Sequence, residues 1–360
     1  MTANRIDRLR AKLVDSQLDG VLISAAENRR YLSGFTGSSG YLLITHDKAI
    51  LATDFRYTEQ ASKQSEKFEI FRISSADWLA SLLAELNIPK LGFESSNVTV
   101  AAYTNLKETL ATSTAKDRVQ LIPMVDLVEP LRATKSLDEL ALITKAVEIA
   151  DQAYEEISPT IEVGDTEESV AWRLERSMRE RGAEAIAFDI IVAAGPNGAM
   201  AHHRADQTPI LNGQPVVMDF GARYQGYCSD ITRTICLGEP DETFRKVYDT
   251  VLGAQLTASA TVEAGMTGEQ ADNLARNVIK AAGHGDQFGH SLGHGIGLAV
   301  HEDPRVGPRA TNILENGTIF TVEPGIYIPG WGGVRIEDIV VMENGRARIL
   351  TMANKRDNPV

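Results

Sequence analysis

The sequence predicts an α+β protein in two parts, and three observations carry that prediction. Residues 1–130 alternate short apolar runs with amphipathic stretches. Residues 131–360 contain an internal repeat, and each copy is followed by two strand-like segments around a turn, with one acid on each strand. A chain of 360 residues with 43% hydrophobic content is large enough for two cores.

In the first part, VLIS (21–24) and YLLITHDKAILAT (41–53) read as strands, and ADWLASLLAELN (76–87) reads as a helix ended by Ile88-Pro89. LGFE (91–94) is a further strand. This is an α/β domain, 1–130, closed by Glu129-Pro130. A helix then opens at Ser136, with Glu139 three residues on as its capping-box partner.

In the second part, 131–360, IEVGDTEESVAWRLERSMRERG (161–182) matches VEAGMTGEQADNLARNVIKAAG (262–283). Gly164, Thr166, Glu168 and Gly182 recur as Gly265, Thr267, Glu269 and Gly283, at a constant offset of 101. A duplicated unit usually buries its apolar face against its copy. After the first copy, VVMDF and CSDITRTI flank the turn ARYQG, so Asp219 and Asp230 are expected nearly opposite each other on paired strands. After the second copy, Glu323 and Glu337 flank PGWGG in the same way. A single strand acid is usually solvated, and like charges about 5 Å apart oppose pairing unless a cation lies between them. Four carboxylates brought together by pseudo-symmetry suit divalent manganese, cobalt or zinc.

Six of the seven histidines fall between 202 and 301, and His46 reads as a loop residue. His294, in the glycine-rich run GHSLGHGIGLAVH, supplies the nitrogen donor that four carboxylates lack. His290 is placed to support it, and His202 and His301 to shuttle a proton or stabilise a transition state. His203 and His284 have no motif partner and read as structural. The pentapeptide GHSLG (289–293) has the G-x-S-x-G spacing of a serine hydrolase but lacks the strand before and the helix after that such an elbow needs.

Net charge is −13, so no basic face for nucleic acid is expected. The two cysteines, Cys228 and Cys236, lie eight apart in what reads as one strand, too far along it to bridge each other, which fits a reducing cytoplasm. The amino-terminal stretch is charged and amphipathic, with no signal-peptide apolar region, and no apolar run approaches the roughly 20 residues of a membrane span.

Four runs then carry a family likeness: AHHRAD (201–206), MDFGARYQGYCSDITRT (218–234), GHSLGHGIGLAVHE (289–302) and TVEPGIYIPGWGGVRIEDIVVM (321–342). Together they resemble the pita-bread metallopeptidases, the family of methionine aminopeptidase, aminopeptidase P, prolidase and the metal-free creatinase. NRRYLSGFTGSSGYLLI (28–44) and ATDFRYTEQA (52–61) resemble, less specifically, the amino-terminal domain of the creatinase, prolidase and aminopeptidase P branch. The resemblance implies a pita-bread catalytic domain with pseudo-two-fold symmetry. It implies two divalent metals, manganese foremost, with Asp219 on one, His294 and Glu323 on the other, and Asp230 and Glu337 bridging. His202, His301 and Arg335 match the family's outer catalytic residues, Glu323 doubles as proton acceptor, and Tyr327 lines the pocket. Strand parity puts Arg335 on the same side as Glu337; its plainer reading is a structural ion pair. The implied substrates are small peptides with proline second, cut by a cytoplasmic, dimeric exopeptidase. Prolidase is favoured over aminopeptidase P because the chain is short for the family. A catalytically idle binding protein on the same fold is the alternative of another class, and the intact ligand set argues against it.

Overall fold

The structure is a computed structural model that describes residues 2–112 and 119–355. It divides into two compact units, Met1–Arg132 and Ala133–Val360.

The first unit is an α/β layer. Its strands are β1 (Gly20–Ile23), β2 (Tyr41–Thr45), β3 (Ala49–Thr53), β4 (Glu69–Arg72), β5 (Lys90–Glu94) and β6 (Gln120–Met124), in the sheet order β4-β3-β2-β1-β5-β6. Helices α1 (Thr2–Asp15), α2 (Ala26–Ser33), α3 (Thr58–Gln64), α4 (Trp78–Leu86), α5 (Val100–Thr112) and α6 (Glu129–Ala133) complete it. The run 41–53 is two antiparallel strands rather than one, because the polar residues His46, Asp47 and Lys48 turn the chain and Thr45 Oγ1 accepts the Lys48 N–H. The family-like stretch 28–44 is structural in this unit. The Arg29 guanidinium, buried, donates to the carbonyls of Gly37 and Gly40 and pins the glycine-rich loop.

The second unit displays the repeat. Helices α7 (Leu137–Ile157) and α8 (Glu167–Glu180) form one pair, and α9 (Glu242–Thr261) and α10 (Gly268–Ala281) the other. Ser136 and Glu139 make the capping box of α7. Thr166 and Thr267 cap α8 and α10 through their hydroxyls. The repeated glycines have positive φ throughout: Gly164 98°, Gly265 93°, Gly182 102° and Gly283 89°. On α8, Val170, Leu174 and Met178 are buried at helical spacing, and on α10 Ala271, Ala275 and Ile279.

Strands β7 (Ala185–Ile186), β8 (Ile191–Ala194), β9 (Pro215–Phe220), β10 (Ala222–Tyr224), β11 (Tyr227–Cys228) and β12 (Ile231–Cys236) follow the first helix pair up to α9. Strands β13 (Gly293–Gly295), β14 (Glu302–Val306), β15 (Ile319–Val322), β16 (Gly325–Ile328), β17 (Gly332–Arg335), β18 (Asp338–Glu343) and β19 (Arg346–Ile349) follow the second. The order β12-β9-β8 in one sheet is echoed by β18-β15-β13 in the other, and each sheet shares its core with its own helices. Cys228 and Cys236 are free, buried and on different strands, since the ladder breaks at Ser229-Asp230. Among the described residues no helix is long and apolar enough to cross a membrane.

Candidate metal centre

Asp230, Glu323 and Glu337 stand where the hairpin ladders open, and Asp219 stays within β9. Strands β15 with β18, and β16 with β17, keep one register, which sets Glu323 opposite Glu337 in the gap between them. Pro324 has no N–H to give the ladder there, and the Glu323 and Glu337 amides instead donate to Leu292 O and Thr232 O. The first hairpin closes through a two-residue turn with positive φ at both Gln225 (45°) and Gly226 (81°). Its register corrects the expected opposition of Asp219 and Asp230. Asp219 faces Thr232, and Asp230 stands two positions away as a diagonal neighbour. The expectation centred the turn one residue too early, a shift that parity tolerates because two residues along a strand return to the same face.

Asp230, His294 and Glu337 bring ligand atoms within 4.8 Å of one another. His294 Nε2 lies 3.3 Å from Glu323 Oε1 and 3.7 Å from Asp230 Oδ2. The ring's other nitrogen, Nδ1, faces the Gly295 carbonyl at 3.1 Å, so it carries the proton and leaves Nε2 with a free lone pair on the side of the acids. Thr321 Oγ1 donates to Glu323 Oε1 and accepts the His294 amide, tying two of the predicted ligands to one hydroxyl. Thr232 Oγ1 donates to Glu337 Oε2 at 2.7 Å. Two buried oxygens, Asp219 Oδ1 and Glu337 Oε1, have no hydrogen-bond partner.

The electrostatics follow from crowding acids in a buried place. Burial, then Glu337 and the other acids, pushes Asp230 well above the usual carboxylate range. Glu337 is pushed up likewise by burial and by Glu323 and Asp219. Burial lifts Glu323 to about 8, and burial lowers His294 to about 4. Burial favours the protonated form of these three acids, and a cation among them would favour the ionised form and give the unpartnered oxygens a partner. A set of carboxylates with one imidazole fits divalent metal ions.

Comparison with known proteins agrees with this chemistry. A model described as metallopeptidase family M24 matches residues 141–344. The chain belongs to the M24 family. A second model, the creatinase/prolidase amino-terminal domain, matches residues 5–134. The Xaa-Pro dipeptidase of Pyrococcus furiosus is 38% identical over 348 residues, 96% of this chain and 97% of that one. The solved structure of a Xaa-Pro dipeptidase from Bacillus anthracis superposes with TM-score 0.95 at 43% identity, covering 99% of each chain. That of X-Pro aminopeptidase from Thermotoga maritima gives 0.88 at 37%, covering 97% of this chain and 98% of that one. The pita-bread architecture is thereby shared across the catalytic unit.

All ten predicted site residues of this M24 chain line one cavity of about 1350 Å³. Arg335 lies across the floor. Its guanidinium donates to Asp219 Oδ2 at 2.5 Å, to Tyr327 OH at 2.8 Å and to Thr232 Oγ1 at 2.9 Å, so its structural ion pair is with one of the predicted ligands. His290 Nδ1 gives its proton to Ser291 O, hence Tyr327 OH donates to His290 Nε2 at 3.0 Å. Burial lowers His290 to about 4. His301 packs edge-on against His294, with ring centres 4.1 Å apart, and burial lowers it too. His202 lies on the exposed loop that follows Gly195–Ala199. Ser291 has no strand before it and no helix after it, as the elbow argument expected.

Glu167, His203 and Asp206 form a second cluster of potential ligands. Glu167 is fully buried, and its oxygens already accept from the amides of Ala194 and Asp206, from Asn197 Nδ2 and from His203 Nε2. His203 is thus a structural histidine, and His284, bonded to Gln287, is another.

Two side chains that the sequence reading passes over belong to the site. Thr232 bridges Glu337 and Arg335. Arg305 stands directly across from His294 on β14 and lines the cavity. Only the pairing of β13 with β14 reveals Arg305, because it lies eleven positions beyond His294 along the chain and the pairing is broken by a β-bulge.

Proposed function

We propose that this chain is a dinuclear-metal exopeptidase that hydrolyses X-Pro dipeptides. The observation that carries the proposal is the cluster of buried carboxylates with unpartnered oxygens on the floor of a cavity whose wall bears Arg305 across from His294. In this reading Asp219, Asp230, His294, Glu323 and Glu337 would hold the metals. The bound ions supply a water acidic enough to act as nucleophile at neutral pH and a Lewis acid for the scissile carbonyl.

The chain's own residues do the rest. Glu323 takes the water's proton. His301 and His202 stabilise the developing oxyanion and the leaving proline nitrogen, to which Glu323 returns the proton it took from the water. Arg335, held by Asp219, Tyr327 and Thr232, fixes the ligand floor and keeps a positive charge beside it. Arg305 pairs with the free carboxylate of a dipeptide, which lies one residue beyond the scissile bond. That pairing favours the dipeptidase over the aminopeptidase P reading, since a longer peptide carries its carboxylate farther out. The proposal extends to manganese as the working ion, to a homodimer, and to the cytoplasm, where the two free thiols support a reducing compartment.

The test is hydrolysis of X-Pro beside X-Pro-Y, with manganese and with chelator. Cleavage confined to the dipeptide and abolished by chelator is expected, with Arg305→Ala raising the dipeptide KM by about tenfold or more. Efficient cleavage of the tripeptide moves the assignment to aminopeptidase P. Absence of metal-dependent cleavage of either peptide moves it to the idle binding protein.

A further inference from the structure

We propose that Arg233 is a positioning residue of the metal centre, acting from behind it by locking the two halves of the repeat in register. It rests on the metal-centre reading above. The halves meet where β12, from the first copy, runs beside residues 335–338 of the second. Beside the side-chain bonds of Thr232 and Asp219 to Glu337 and Arg335, Glu337 N donates to Thr232 O, and Thr234 Oγ1 donates to Arg335 O and accepts the Arg335 amide. Glu337 comes from one side of this seam and Asp230 and Thr232 from the other, so the spacing of the shared ligands is the spacing of the seam.

Arg233 lies in the middle of it. It is the largest of the fully buried side chains, and none of its donors points to the cavity. NH1 donates to Thr232 O at 2.9 Å and to Glu337 O at 2.5 Å, one carbonyl from each half. NH2 donates to Asp338 Oδ1 and to Ala353 O, both at 2.8 Å. Nε donates to Ala353 O and Asn354 O. Asp338 Oδ2 in turn receives Gln255 Nε2 at 2.7 Å and Lys355 Nζ at 2.6 Å. The guanidinium therefore clamps two ligand-bearing backbones together, and the segment Thr351–Lys355 straps over its far side.

A buried ion pair of this kind adds little net stability compared with well-packed apolar residues. Its distinctive property is direction: a planar fork with all five N–H groups engaged admits one separation of the two backbones. Lysine, a point charge with three donors, cannot hold the five acceptors Thr232 O, Glu337 O, Asp338 Oδ1, Ala353 O and Asn354 O at once. Misplacing a reacting group by about 1 Å costs up to about a hundredfold in rate.

The experiment compares wild type with Arg233→Lys, loaded with cobalt as the probe. Metal content, the visible absorption bands, thermal melting and dipeptide kinetics are measured. The expected result is a cooperative melt, cobalt bound with shifted bands, and kcat lower by about tenfold or more with KM within about threefold. A variant with wild-type bands, cobalt affinity and kcat, differing only in melting temperature, overturns the proposal and leaves Arg233 a structural residue. Should Arg233→Lys not fold, Asp338→Asn decides. It retains an oxygen acceptor for the guanidinium but drops the charge, and is expected to weaken cobalt binding about tenfold; unchanged bands and affinity there overturn the proposal. Wild-type protein that takes up no cobalt overturns the metal-centre reading itself, a result distinct from either variant's.

Discussion

Two buried glutamates, one in each unit, behave in opposite ways. Glu94, in the amino-terminal unit, is 6% exposed, and Glu337, in the catalytic unit, is 1% exposed. Glu94 accepts from the amides of Ser24 and Ala25, from Ser24 Oγ and from Asn28 Nδ2. Glu337 accepts from one hydroxyl, that of Thr232, leaves Oε1 without a partner, and has Glu323 and Asp219 among its neighbours. Burial alone therefore does not mark a functional acid. A buried carboxylate ringed by donors organises the fold, and one left short of donors beside other acids has the chemistry that suits a cation.

Replacing each glutamate tests this contrast most severely. Glu337→Ala, like Asp230→Ala, is expected to lose bound metal and at least about a hundredfold in kcat/KM while the protein stays folded. Glu94→Gln should leave metal content and kcat near wild type but lower stability by about 2 kcal/mol, because its single oxygen stays on the Ser24 and Ala25 donors and its amide nitrogen then faces the Asn28 Nδ2 donor. Metal analysis and denaturant unfolding on the same samples read both; full activity in Glu337→Ala would end the assignment.

The single donor to Glu337 offers a finer probe. Thr232→Val keeps the shape and removes the hydroxyl shared by Glu337 and Arg335. Metal affinity is expected to fall about tenfold to a hundredfold by competition titration, with kcat at saturating metal less affected. An unchanged affinity would show that Arg335 and the ions alone orient Glu337.

Asp151 lies between the two extremes. Its Oδ2 accepts the Met352 amide, its Oδ1 has no partner, and burial lifts it to about 6. A raised carboxyl pKa means that the folded state prefers the proton. The stabilisation is complete below about pH 4 and is lost as pH rises through about 6. Asp151→Asn mimics the protonated form, so the stability difference between variant and wild type should swing in the variant's favour by on the order of 2 kcal/mol between pH 4 and pH 7. Urea unfolding in chelator across that range measures it, and a pH-independent difference would contradict the burial argument.

Much of this was legible before any coordinates. The repeat offset, the acid pairs about their turns and the glycine-flanked His294 are local patterns, and local patterns survive folding because strand parity and helix period are set by covalent geometry. Where the reading slipped, the reason was tertiary. The run 41–53 is apolar enough for one strand, yet three polar residues suffice to fold it back. Asp219 and Asp230 were displaced by two positions because turn type, not the midpoint of the acids, sets register. His203 and Glu167 have no sequence signal as a pair, since they lie 36 positions apart, across α8, β7 and β8, and only the folded chain brings the loop of His203 back to the start of α8.

The sequence by itself determined the two-part organisation, the duplicated helix-and-hairpin unit, and the residues whose chemistry suits a metal centre. Only the tertiary structure decided which buried acids lack partners, that Arg335 pairs with Asp219, that Arg305 stands opposite His294, and that Arg233 crosses the seam between the copies. The physical reason is range. Patterning and turn chemistry act over a few residues and can be read along the chain. Donor satisfaction, desolvation and register between the two halves are sums over groups as far apart as Arg233 and Asp338, and exist only once the chain has closed on itself.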